Sequence, residues 1–127
     1  MTGLTPLLEV FDMDESLKFY VDCLGFEIVN MAPKRGWCML RSGRVTLMLN
    51  TAHEDDERPA GPPLERKRWH RDLTLYFDAD PDVAYGRLKA CGYMCQEPYK
   101  APYGVVQANA ADPDGYSTAF IRQIEDR

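Results

Sequence analysis

The chain has 127 residues, 45% hydrophobic and 11% aromatic, the size and composition of one ordinary domain able to close a core. A formal net charge of −5 and a pI of about 5.0 argue against a nucleic-acid backbone or an anionic membrane as partner. No apolar run approaches a membrane span, and MTGLTPLLEV lacks the basic region and long apolar run of a secretory signal, so a cytoplasmic protein is expected.

Leu4 to Val10 reads as a short strand entered through Pro6, after which Asp12 and Asp14 offer side-chain oxygens to the unpaired N–H groups of a helix start. Leu17, Tyr20, Val21 and Leu24 recur at helical spacing, which predicts one apolar stripe ended by Gly25. Phe26 to Met31, Gly36 to Arg41 and Arg44 to Asn50 are strand candidates, separated by turn signals at 32–36 and at Ser42-Gly43. From Thr51 to Arg68 the composition turns charged and rich in Pro and Gly, the signature of a linker. Within it His53 and the acidic run from Glu54 to Glu57 read as solvated, although an acidic rim would attract cationic ligands.

Trp69 to Phe77 opens a second unit. Asp80 is placed to cap a helix with Pro81 at its first position, Ala84, Leu88 and Cys91 on its inner face and Gly92 at its end. Tyr93 to Glu97, Gly104 to Asn109 and Tyr116 to Ile121 follow as strands, the last two joined by the turn sequence Asp112-Pro113-Asp114-Gly115. Sliding the chain along itself lays Leu8 over Leu75, Val10 over Phe77 and Gly25 over Gly92, a constant offset of 67 residues. The expected architecture is α+β: two tandem βαβββ modules, about 4–50 and 69–123, with 51–68 between them. Two halves of this size are each marginal alone, so they are expected to form one domain over residues 1–127. The four cysteines, Cys23, Cys38, Cys91 and Cys95, show neither C-x-x-C nor zinc spacing and are expected as reduced thiols.

The paired units, the Phe19-Tyr20…Leu24-Gly25-Phe26 helix end and the turn from Asp112 to Tyr116 together resemble the vicinal oxygen chelate superfamily, which includes glyoxalase I, extradiol dioxygenases and the fosfomycin and bleomycin resistance proteins. The resemblance spans about Leu4 to Ile121. It implies curved mixed sheets that cup a cavity, commonly in a homodimer. It also implies metal ligands on the first and last strand of each module, usually His or Gln first and Glu last. Here those positions fall at Thr5, within Val45 to Met48 at Thr46 or Leu47, at Asp72, and at Ala119. Aliphatic side chains cannot hold a transition metal, and neither Arg44 to Asn50 nor Tyr116 to Ile121 contains a carboxylate, histidine or cysteine. The likeness is therefore to the non-metal, bleomycin-resistance branch, whose members sequester a flat cationic antibiotic and do no bond chemistry, and no cofactor is expected.

Concave sheets bind planar ligands by burial and stacking, with a few polar groups to orient them. Trp37, Met39, Met48, Tyr76, Tyr99, Tyr103 and Phe120 are the candidate lining, each with core packing as its plainer role. Asp72 is a candidate acceptor or counter-charge, and His70 a candidate polar contact or, near neutrality, an acid or base. The expectation is a metal-independent binding protein for an aromatic or cationic small molecule such as an antibiotic. The alternatives are a metal-dependent lyase or dioxygenase with displaced ligands drawn from His70, Asp72 and Glu9, and a metal-free isomerase or hydrolase using His70 and Asp72.

Overall fold

The computed structural model describes residues 1–51, 65, 67 and 70–124, which belong to two units, Met1–Pro63 and Leu64–Arg127. In the first, β1 (Leu7–Val10) leads into helix α1, which runs as α-helix over Met13–Leu17 and as π-helix over Lys18–Cys23. Strands β2 (Glu27–Met31), β3 (Trp37–Ser42) and β4 (Val45–Thr51) follow. The sheet order is β1-β4-β3-β2, with β1 parallel to β4 and the other pairs antiparallel. A parallel partner for β1 requires the chain to cross over before returning, and α1 with the β2–β3 hairpin supplies that crossover.

Successive strand residues point to opposite faces. Leu8, Val10, Cys38, Leu40, Leu47 and Leu49 are buried on one face against Met13, Phe19, Tyr20 and Cys23 of α1. The Cys38 thiol donates to the Met13 sulfur at 3.7 Å across that contact. Each such Leu or Val contributes roughly 1.5–3 kcal/mol by leaving water.

The start of α1 is as expected: Asp12 accepts from the backbone N–H groups of Asp14 (3.0 Å) and Glu15 (3.3 Å). Its phase is not. The buried positions are Met13, Ser16, Phe19, Tyr20 and Cys23, while Leu17, Val21 and Leu24 are only half-buried. The wide π turn, closed by Leu24 N–H to the Phe19 carbonyl at 3.1 Å, lets the consecutive Phe19 and Tyr20 both face inward. Their rings meet edge to face with centroids 4.9 Å apart.

The second unit repeats the plan with β5 (Thr74–Asp78), α2 (Pro81–Ala90), β6 (Tyr99–Ala101), β7 (Val105–Ala111) and β8 (Ser117–Gln123) in the order β5-β8-β7-β6. Asp80 caps α2 through the Asp82 N–H (2.9 Å), and Pro81 occupies its first turn. Gly92 (φ 89°) closes it in a Schellman motif, with Gly92 N–H on the Lys89 carbonyl and Tyr93 N–H on that of Leu88.

Two strand boundaries depart from expectation. A turn from His70 to Leu73 precedes β5, so the strand begins at Thr74; Trp69 and residues 52–64, 66 and 68 of the expected linker lie outside the described residues. Tyr93 to Glu97 is not a strand. Pro98 has no N–H to give a ladder, and pairing starts after it at Tyr99. Cys38 and Cys95 are free thiols, as expected of them.

Two consequences are measurable. Gly115 combines φ 89° with no room, since an added Cβ would overlap the backbone of Lys67, whereas Gly92 shares the φ value but faces open space. Gly92→Ala is expected to cost about 1–2 kcal/mol and Gly115→Ala at least twice that in urea unfolding. Equal losses would refute the packing of Lys67 on the turn. Burial pushes the Cys38 thiol up to about 11, opposed by a hydrogen bond to the Leu49 backbone and the charge of Arg35. The folded chain thus holds this proton more tightly than the unfolded one: the contribution is complete below about pH 9 and lost as pH rises to about 11. Cys38→Val should flatten the fall in stability across that window relative to wild type.

Candidate functional site

The sheet faces turned away from the helices carry most of the candidate residues. In the first unit, cross-strand pairing lines them up in three rows. The middle row is Leu7, Met48, Met39 and Asn30; on one side lie Glu9, Asn50 and Trp37, and on the other Thr46, Arg41 and Glu27. Met39, Met48 and Trp37 are half-buried, so a ligand laid across them would meet polarisable sulfur and an indole edge with Asn50 and Arg41 alongside.

Thr5 joins the outer row through its hydroxyl, which lies 2.5 Å from that of Thr46. Two positions where the superfamily's metal ligands are expected thus satisfy each other. In the second unit Ala119 is fully buried between Tyr76 and Asn109, and Asp72 stands exposed in the turn before β5. Neither a hydroxyl pair nor a methyl group suits a transition metal. Among the described residues no group of three or more His, Cys, Asp or Glu side chains is placed to hold a metal ion. The residues at these positions do not fit the metal that the superfamily's enzymes use.

The helix-free face of the second unit is built differently, from phenols and carboxamides. Gln107 and Asn109 alternate on β7, with Tyr99 opposite Gln107 on β6 and Tyr76 two strands away, beyond Ala119. They form one hydrogen-bonded chain. The Tyr103 hydroxyl donates to Gln107 Oε1, Gln107 Nε2 donates to Asn109 Oδ1 (2.7 Å), and Asn109 Nδ2 donates to both Gln96 Oε1 (2.9 Å) and the Tyr99 oxygen (3.1 Å). Gln107 is only 5% exposed, so these bonds replace water that it has lost. Tyr76 and Tyr103 are 56% and 58% exposed and present ring surface to solvent. The Tyr103 phenol is held above its usual range, first by desolvation of the hydroxyl end and then by the nearness of Tyr76 and Tyr99.

Three candidates stand apart from this face. Phe120 pairs with Phe77 and Ala108 on the opposite, helix-covered face, buried and stacked on Phe77 at 5.7 Å. His70 is fixed to the turn between β7 and β8: its Nδ1 meets the Asp114 carbonyl at 3.0 Å and its ring stacks on Tyr116 at 4.1 Å and 6°. Since a carbonyl only accepts, Nδ1 carries the proton and the imidazole serves as a latch on the turn. Asp112 organises the same turn by accepting from the N–H groups of Asp114 and Tyr116, both at 2.9 Å. Asp72 makes no hydrogen bond to His70 among the described residues, so an acid–base pair is not assembled. Sequence reasoning missed Gln96, Gln107 and Asn109. Its available signal was the VVQANAA run, in which two carboxamides alternate with small apolar residues on one strand.

The family model described as glyoxalase/bleomycin resistance protein/dioxygenase superfamily matches residues 5–120. No curated protein sequence matches. Among solved structures, a bleomycin resistance determinant encoded on the transposon Tn5 is 27% identical, covering 99% of this chain and 100% of its own, with a TM-score of 0.71. A bleomycin-binding protein complexed with bleomycin is also 27% identical, over 97% of this chain and 99% of its own, with a TM-score of 0.69. A lactoylglutathione lyase from Agrobacterium tumefaciens shares the fold at 21% identity, over 95% and 93%, with a TM-score of 0.68.

The carboxamide chain gives the site a stability signature. Gln107→Leu keeps the volume but strands the Asn109 oxygen and the Tyr103 hydroxyl, and is expected to lower unfolding free energy by about 1–3 kcal/mol in denaturant titration. An unchanged midpoint would show that the chain of bonds is not formed in solution.

Proposed function

Because the chain belongs to the glyoxalase/bleomycin resistance protein/dioxygenase superfamily, we propose that it is a metal-independent binding protein that holds a planar, aromatic or cationic small molecule on its helix-free sheet faces. The observation that carries this reading is the occupancy of the ligand positions: Thr5 and Thr46 bonded to each other, Ala119 buried, and Asp72 exposed in a turn. The faces that remain offer ring and thioether surface with a few fixed polar groups, the composition of a site that binds by burial and stacking.

Sequestration of an antibiotic of the bleomycin type is the concrete form of the proposal. Support comes from the similarity to the two bleomycin proteins across nearly their full lengths and from the net charge of −5, which attracts cationic ligands. In this reading the protein is a cytoplasmic homodimer whose two modules act as one domain, and Trp37, Met39, Met48, Tyr76, Tyr99 and Tyr103 provide the contact surface. Among the described residues no helix is long and apolar enough to cross a membrane.

Calorimetric titration with bleomycin and a panel of planar cationic drugs, with and without chelator, tests the proposal. Binding that survives chelator, and that Trp37→Ala weakens about tenfold or more, is expected, since a buried aromatic anchor carries at least about 1.4 kcal/mol. No binding across the panel would remove the antibiotic form. A stoichiometric transition metal in protein purified without chelator would favour the lyase or dioxygenase alternative.

A further inference from the structure

The hydrogen bonds on the second unit's helix-free face run in one direction. Each member donates onward: Tyr103 to Gln107, Gln107 to Asn109, Asn109 to Tyr99 and Gln96. Both amide hydrogens of Asn109 are committed. The Tyr99 oxygen receives one of them, so its own proton is left to point elsewhere, and it has no acceptor among the described residues. Gln96 receives the other on Oε1, which turns its NH2 group toward solvent. The chain therefore ends in two outward donors. Donors at the end of such a series are polarised by those behind them.

We propose that Tyr99 and Gln96 form a donor subsite that reads a hydrogen-bond acceptor, a carbonyl oxygen or an aromatic ring nitrogen, on the planar ligand of this face. A cation would meet the hydrogen end of both of these donors. This subsite therefore selects an acceptor-bearing neutral heteroaromatic, and any cationic part of the ligand is read elsewhere. Tyr76 and Tyr103 supply exposed ring surface on the same face. The inference rests on the binding reading above and specifies its ligand.

Three flat probes of nearly the same size separate the possibilities: isoquinoline, with a ring-nitrogen lone pair; naphthalene, with none; and N-methylisoquinolinium, cationic and with the lone pair blocked. Ligand-observed NMR titrations at mildly alkaline pH, where isoquinoline is neutral, should show it binding roughly three- to tenfold more tightly than either other probe, the size of one net hydrogen bond. Tyr99→Phe, which removes only the hydroxyl, should erase that preference and leave naphthalene unchanged, and Gln96→Leu should reduce it. Equal binding of all three by the wild type, or a preference that survives Tyr99→Phe, would overturn the donor subsite while leaving the binding reading in place. If no probe binds at all, both fall.

Discussion

The parallel pairing of first and last strand in each unit is the constraint on which the site depends. It sets β1 beside β4 and β5 beside β8, so residues some forty positions apart become neighbours on one face: Leu7 with Met48, Tyr76 with Ala119. The Thr5–Thr46 hydroxyl contact is a direct product of that pairing. Such a junction suits a metal, because it draws donors from both ends of a module onto one spot. With hydroxyls and a methyl group at those positions, the same topology presents thioether, phenol and carboxamide side chains instead of metal donors.

The two units use that surface in unlike ways. The first offers a soft band of Leu7, Met48 and Met39 flanked by polar rows, adaptable because thioethers conform to the shapes laid on them. The second is stiffer: its carboxamides hold one another in place, and Gln107 is committed to bonds on both sides. One face is soft, and the other is fixed by its own hydrogen bonds.

Much of this plan was legible in the sequence where backbone chemistry is specific. Asp12 and Asp80 cap, Gly25 and Gly92 stop, and Asp112 to Gly115 turn, because few residues perform those tasks. What stayed hidden depends on choices between faces. Phe120 looks like a lining aromatic until the register pairs it with Phe77 on the helix side. The inward phase of α1 could not be read from its leucines, because a π turn resets it. Gln107 and Asn109 acquire meaning only when Tyr99, Tyr103 and Gln96 arrive from elsewhere in the chain, and His70 reads as an exposed base until the Tyr116 ring and Asp114 carbonyl claim it.

That π turn bears on how the two units are related. Between the capping Asp12 and the terminating Gly25 lie twelve residues; between Asp80 and Gly92 lie eleven. The punctuation is shared, yet the first helix holds one residue more. A straight α-helix would have to carry that surplus by rotating everything after it through about 100° and pulling Phe19 or Cys23 out of the core. Widening a single turn absorbs it locally, so both caps and the strand that follows keep their places. The first helix starts one residue nearer its strand, Asp12 lying two after Val10 and Asp80 three after Phe77, while Val10 to Gly25 and Phe77 to Gly92 span the same fifteen; the wide turn stores in the pitch of a helix the residue that the second unit keeps in its loop.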